Sequence, residues 1–173
     1  MTTTSQTYGG RGYLVHLPEA VIDTLRGQAV SAGRRETGGI LIGYYRNGEA
    51  IITEVTSPPP DSKSGWFRFE RGTRGVKSYL EEKWAADPRE FYLGEWHSHP
   101  TQQARPSSTD HRQMQQISND PDIDCSQPIL IVVAGQAKPL PEFSVGVYDG
   151  ASDVPAVLKQ QTDLAHRGSD YGS

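Results

Sequence analysis

One cysteine in 173 residues removes several function classes at once. A single thiol cannot build an intramolecular disulfide framework or a cysteine-based zinc site. Long apolar runs are missing as well: with 35% hydrophobic residues, no stretch approaches the roughly 20 consecutive apolar residues that a membrane-spanning helix needs. Positive charge is not in excess, because 17 Lys and Arg face 21 Asp and Glu. No broad basic surface therefore points to nucleic acid. The first ten residues carry neither a basic segment nor an apolar core, so no secretory signal is expected and a cytoplasmic location is. Phosphate-binding glycine loops, dinucleotide fingerprints and internal repeats are absent. What the chain has in quantity is turn formers, 18 Gly and 12 Pro, at a length suited to one compact domain.

Residues 1–11 are polar and glycine-containing and are expected to be a flexible N-terminus. Tyr13 to Val15 reads as a strand. Pro18 then opens a helix with Ile22, Leu25 and Ala29 on one stripe, and Gly33 stops it. The run Ile40 to Tyr45 is apolar or aromatic on both parities, which suits a strand covered on both faces. Asn47-Gly48 follows, a strong signal for a two-residue hairpin into Ala50 to Val55. Pro58 to Gly65 reads as a long loop and Trp66 to Phe69 as a returning strand. Val76, Leu80 and Trp84 mark a second amphipathic helix that ends before Asp87-Pro88. Phe91 to His99 is the next strand, and Ser107 opens a third helix carrying Met114 and Ile117. Pro128 to Ala134 reads as a buried strand and Glu142 to Tyr148 as a half-buried one. Residues 150–173 are expected to be a polar, partly disordered tail with one helical turn at Val154, Val157 and Leu158. The order indicates an α/β domain, residues 12–149, built on one mixed sheet with about three helices.

The stretch with chemical content is Glu95-Trp96-His97-Ser98-His99-Pro100. Alternate residues of a strand share a face, so Glu95, His97 and His99 project the same way. Two imidazoles on one face can ligate one metal, and Pro100 ends the strand because it has no N–H for the ladder. Asp110 shares the apolar stripe of the third helix with Met114 and Ile117, at i, i+4 and i+7. A carboxylate there is costly to desolvate unless a cation or hydrogen bonds satisfy it. Two His and one Asp with a fourth position open is the arrangement of catalytic zinc. Plainer readings stand beside this one. Ser107-x-x-Asp110 has the form of a capping box, and Glu36 has the look of a solvated charge beside Arg34 and Arg35. The cap and the metal do not compete, since a cap fixes the helix start that aims Asp110.

His97-x-His99-x7-Ser107-x2-Asp110 resembles the signature of the JAMM (MPN-plus) zinc metalloproteases, over roughly residues 12–149. Glu36, in Arg35-Glu36-Thr37-Gly38-Gly39, occupies the place of the glutamate that completes the site in that family. The resemblance implies a curved mixed β-sheet flanked by helices, and one Zn2+ per chain held by His97, His99 and Asp110. It implies catalytic roles for Glu36, as general base turned general acid, and for Ser107, as donor to the tetrahedral oxyanion. The wider context, Gly94 to Pro100 with Glu36 to Tyr45, is similar to compact bacterial members of anti-phage operons, the deconjugating proteases of CBASS and of ubiquitin-like conjugation systems. Such enzymes cleave after the C-terminal glycine of a conjugated protein, and E1- and E2-like operon partners are implied with them. No substrate-binding residue is assigned, although segments 57–65 and 101–106 are the candidates for substrate contact. Glu95 is open between a role behind His97 and simple solvation or sheet pairing.

Three other functions share parts of this pattern. A non-catalytic MPN scaffold usually lacks one or more of the zinc ligands, and all are present here. Trimming of a sulfur-carrier protein precursor would use the same chemistry. A cysteine protease through Cys125 is disfavoured, because Asp122 and Asp124 supply no base and raise the thiol pKa.

Overall fold

The computed structural model describes residues 5–64, 69–70 and 74–161. The elements run β1 (Ser5–Gly10), β2 (Tyr13–Pro18), α1 (Glu19–Ala32), β3 (Thr37–Arg46), β4 (Glu49–Val55), β5 (Lys63–Ser64), β6 (Phe69–Glu70), α2 (Val76–Ala85), β7 (Phe91–His99), α3 (Ser108–Asn119), β8 (Ile129–Ala134), β9 (Glu142–Val147) and β10 (Ala156–Gln161). The main sheet closes on itself in the order β1-β10-β9-β8-β7-β3-β4-β2, while β5 and β6 form a separate two-stranded ribbon. Pairs β7–β8 and β2–β4 are parallel and the others antiparallel.

The α/β architecture with three helices on a mixed sheet is as expected, but the sheet goes beyond the expected curvature and closes into an eight-stranded barrel. The strands missing from that reading are the two at the ends of the chain. Ser5–Gly10, expected to be frayed, pairs with β2 on one side and β10 on the other. Ala156–Gln161 lies where a helical turn and a loose tail were expected. The spacing of Val154, Val157 and Leu158 fits a helix, but burial alternates: Ala156 and Leu158 face the core while Val157 is exposed. Each of these strands supplies only one or two buried side chains, so neither carries a clear periodic signal. Residues 65–68, which hold most of the expected strand at Trp66, lie outside the described residues.

The readings with a strong local cause hold. Asn47 and Gly48 both take positive φ, 53° and 82°, as a two-residue turn between right-twisted strands requires. Pro18 precedes α1, whose buried stripe is Val21, Ile22, Leu25 and Ala29, and Gly33 ends it at φ 62°. That stripe joins one cluster with Val15, Leu17, Leu41, Ile52, Leu93, Trp96, Ile131, Val133 and Val145 from the barrel. A second cluster lies under α3, where Met114 and Ile117 meet Leu130, Val132 and Tyr148. Strand β8 therefore gives alternate residues to both clusters, which is why its sequence is an unbroken apolar run. Helix α2 forms where its spacing places it, but it buries none of its residues and leaves Trp84 52% exposed. Among the described residues no helix is long and apolar enough to cross a membrane.

One irregularity sets the face of the site. Gly94 pairs with Leu41 and Tyr92 with Ile42, so Leu93 is an extra residue in β7. Gly94 sits at φ 147°, and a Cβ there would lie 1.9 Å from the Ile129 carbonyl oxygen. The bulge shifts the alternation: Leu93 and Trp96 point into the barrel, while Tyr92 joins the cluster under α3.

Candidate active site

Beyond the bulge, Glu95 and His97 face α3 and are almost fully buried, at 0% and 3% exposure. The strand ends two residues later at His99, where Pro100 stops it. Between the histidines, Ser98 turns the other way and its Oγ accepts a hydrogen bond from the Thr37 N–H at 3.2 Å. Thr37 is also the register partner of Ser98. Glu36 immediately precedes it, so the chain delivers Glu36 to the end of β7 that carries His99. The glycine after Gly38 has a steric reason: a Cβ on Gly39 would lie 2.3 Å from the Thr56 carbonyl oxygen and 2.8 Å from Trp96 Nε1. Those two atoms bond to each other at 3.0 Å.

Ser107 caps α3 through a complete capping box. The Asp110 N–H donates to Ser107 Oγ at 3.1 Å, and the Ser107 N–H donates to Asp110 Oδ2 at 2.6 Å. The cap reading was therefore correct, and it aims Asp110 inward. Asp110 Oδ1 lies 2.9 Å from His97 Nδ1, and its Oδ2 lies 3.3 Å from His99 Nε2. One carboxylate thus spans both imidazoles. Ser107 Oγ uses an acceptor site in the cap, which leaves its hydroxyl hydrogen to donate elsewhere.

The electrostatics follow from burial and pairing. Burial works against a charge on Asp110, but hydrogen bonds from His97 and His99 outweigh it and hold the carboxyl well below its usual range. Burial likewise opposes a charged His97, yet Asp110 and Glu95 push that imidazole up to about 9. Among the described residues no three His, Cys, Asp or Glu side chains are already disposed to hold a metal ion. Instead Asp110 is paired with both histidines. Their chemistry fits zinc: two imidazoles and a carboxylate, with N···O separations of 2.9 and 3.3 Å.

Several contributors to this cluster were not legible in the motif. Glu95 is fully buried, which excludes solvation, and accepts a hydrogen bond from Gln113 Nε2 at 2.9 Å. Tyr148 Oη lies 2.8 Å from His111 Nδ1, fastening α3 beside Asp110. Gln113 had a findable signal, because it follows Asp110 by three residues and so flanks the buried stripe. Pro58, Pro59 and Pro60 of the expected substrate loop line a cavity of about 440 Å³ with Glu54, Thr56 and Tyr79. The Cys125 thiol is pushed up to about 11, chiefly by burial and further by Asp124. It is a poor nucleophile at neutral pH, as expected, although burial rather than charge is the main reason.

A family model describing prokaryotic homologues of the JAB domain matches residues 18–145. The chain belongs to this prokaryotic JAB-domain family. The JAB match takes in Glu36, both histidines, Ser107 and Asp110, and leaves the barrel-closing strands β1 and β10 outside it. This JAB protein is 33% identical over 164 residues, 92% of its length and 89% of the relative's, to a CD-NTase/cGAS isopeptidase of Enterobacter hormaechei. A CD-NTase/cGAS isopeptidase of Pseudomonas aeruginosa is 30% identical over 71% of this chain and 78% of its own. A probable metalloprotease of Sinorhizobium fredii is 27% identical over 70% of this chain and 76% of its own. The solution structure of a Desulfitobacterium hafniense protein shares the fold at a TM-score of 0.58 with 16% identity, covering 83% of this chain and 86% of that one.

Proposed function

We propose that this JAB domain is a zinc-dependent isopeptidase or peptidase. It cleaves after the C-terminal glycine of a ubiquitin-like or other enzymatically conjugated protein and releases that protein from its target. The observation that carries the reading is the meeting of His97, His99 and Asp110 beneath the Ser107 cap. The isopeptidase and metalloprotease names of its relatives support it. The CD-NTase named among them supports a link to bacterial anti-phage conjugation, and the proposal includes E1- and E2-like operon partners for the enzyme.

In this mechanism His97, His99 and Asp110 hold one Zn2+. Zinc in such a site supplies Lewis acidity toward water and the scissile carbonyl. The rest falls to the chain. Glu36, half-buried beside the His99 end of β7, takes the proton of the attacking water and returns it to the leaving amine. The Ser107 hydroxyl donates to the oxygen that gains charge as the carbonyl becomes tetrahedral, and the helix cap holds it in place for that task. Asp110 stands 2.9 Å from one imidazole and 3.3 Å from the other, so the three donors are gathered at one point.

The test combines metal analysis with cleavage of a model glycine-linked conjugate by wild type, Glu36→Gln and His97→Ala. Zinc near one per chain is expected in wild type and Glu36→Gln, with cleavage lost in both variants. Full zinc and full cleavage in His97→Ala would reject the site. Stoichiometric zinc with no cleavage of any glycine-terminated conjugate or precursor would favour an interaction scaffold instead.

A further inference from the structure

Glu95 has no exposed surface. A carboxylate with no access to water persists only where fixed partners replace its hydration. Gln113 Nε2 donates to its Oε2 at 2.9 Å, the Tyr92 hydroxyl donates to its Oε1 at 3.4 Å, and His97 Nε2 stands 3.4 Å from Oε2. The His97 ring therefore lies between two carboxylates, with Nδ1 on Asp110 and Nε2 toward Glu95. An imidazole that gives one nitrogen to a metal carries its proton on the other, and that N–H needs an acceptor.

We infer that Glu95 is a positioning residue for the proposed metal centre: it receives the outer ring N–H of His97 and is itself clamped by Gln113 and Tyr92. The inference rests on the zinc reading above. The fold explains why these groups meet. The Gly94 bulge puts Glu95 on the α3 side together with His97 and Tyr92. Gln113 stands three residues after Asp110, so the helix that delivers the inner carboxylate also delivers the clamp of the outer one. Glu95 thereby fixes the orientation and tautomer of His97 and raises its strength as a ligand. Two buried carboxylates beside two imidazoles also form a cluster whose charge a divalent cation balances.

The test is zinc affinity of the full chain, measured by chelator competition, with the visible spectrum of the Co2+-substituted protein as a second readout. Glu95→Gln keeps the side-chain shape and loses the anionic acceptor. It is expected to retain the wild-type circular dichroism, to bind zinc about 10- to 100-fold more weakly, and to alter the Co2+ bands. Tyr92→Phe, which removes one bond to Glu95 and leaves the carboxylate, is expected to move affinity and spectrum the same way by less. Tyr92→Phe carries the test if Glu95→Gln fails to fold. Wild-type affinity and spectrum in the folded Glu95 variant, or in Tyr92→Phe should it alone fold, while His97→Ala loses zinc, would overturn the role of Glu95 alone. Zinc binding that survives His97→Ala would overturn the zinc reading and this inference together.

Discussion

Helices α2 and α3 both carry apolar residues at helical spacing and both lie against β7, yet their attachments are opposite in kind. α3 buries Asp110, Met114 and Ile117 and begins with a full capping box. α2 buries none of its residues and begins at Gly75, φ 79°, without a side-chain cap bond. Its anchor is polar: the Tyr79 hydroxyl and the Lys83 ammonium both bind the Glu54 carboxylate, and Lys83 lies 3.4 Å from Glu90. Leu80 and Trp84 face a groove of about 900 Å³ that Phe91, Tyr92 and Ile123 also line. Apolar burial under a helix fixes its place within a fraction of an ångström, as a metal centre demands. A surface ion pair fixes a helix only loosely and at little cost to replace.

The comparison is broken most severely at Asp110. Asp110→Ala removes one end of the cap and leaves His97 buried beside an unmatched site. Breaking a buried pair costs about 3–5 kcal/mol, so urea unfolding of the metal-free variant should show a loss of that order, together with cleavage at background. Met114→Ala should cost about 2–5 kcal/mol by opening a cavity under α3. Leu80→Ala on α2 should cost under about 1 kcal/mol, because its neighbourhood is already open. Equal losses for Met114→Ala and Leu80→Ala would mean that the groove is closed in solution and that the two helices are held alike.

What the sequence disclosed follows the same division. The α3 side was readable because its signals are local: His97 and His99 two apart on a strand, Ser107 three before Asp110, and Asp110 in phase with Met114. Glu36 was placed by resemblance, since its approach to the histidines depends on the long-range β3–β7 register. The helical spacing of Val76, Leu80 and Trp84 was equally clear, but periodicity reports a face and not what covers it. Barrel closure was hidden for a related reason. Tyr8, Ala156 and Leu158 gain their meaning only when β1 meets β10 across some 150 residues of chain. The clamp on Glu95 needed the Gly94 bulge, which no pattern of alternation announces.

Acid should separate the two helices further. Burial works against the Glu54 charge, but the hydrogen bonds from Lys83 and Tyr79 prevail and hold its pKa below the ordinary 4.5. A carboxyl depressed in the folded state stabilises fully above its unfolded value, and that contribution disappears as pH falls through the folded one. Tyr79 is raised to about 12 for the converse reason, with burial the largest cause and Glu54 next. Its contribution is complete below 10 and is lost as pH rises through about 12. The Glu54 side chain is 40% exposed, so solvent screening keeps its share below about 1 kcal/mol. Glu54→Gln should therefore lower the melting temperature at pH 7 by no more than about 2–4 °C. That difference should begin to shrink as pH falls below 4.5 and vanish once the folded carboxyl itself is protonated.

Cys125 gives the smallest effect, and it lies near the groove wall formed by Ile123 and Asp124. With its thiol at about 11, thiolate is scarce at pH 7.5. Alkylation should run on the order of 100-fold slower than for an unperturbed thiol near 8.5. Cys125→Ser should leave zinc content and cleavage unchanged, because nothing in the proposed chemistry passes through it. Fast alkylation at pH 7.5 would mean that the segment under Cys125 opens readily, and the looseness assigned to α2 would then extend across the groove to its far wall. Slow alkylation with a normal response to Leu80→Ala would confine that looseness to α2 itself, leaving the strand and helix that carry His97 and Asp110 undisturbed.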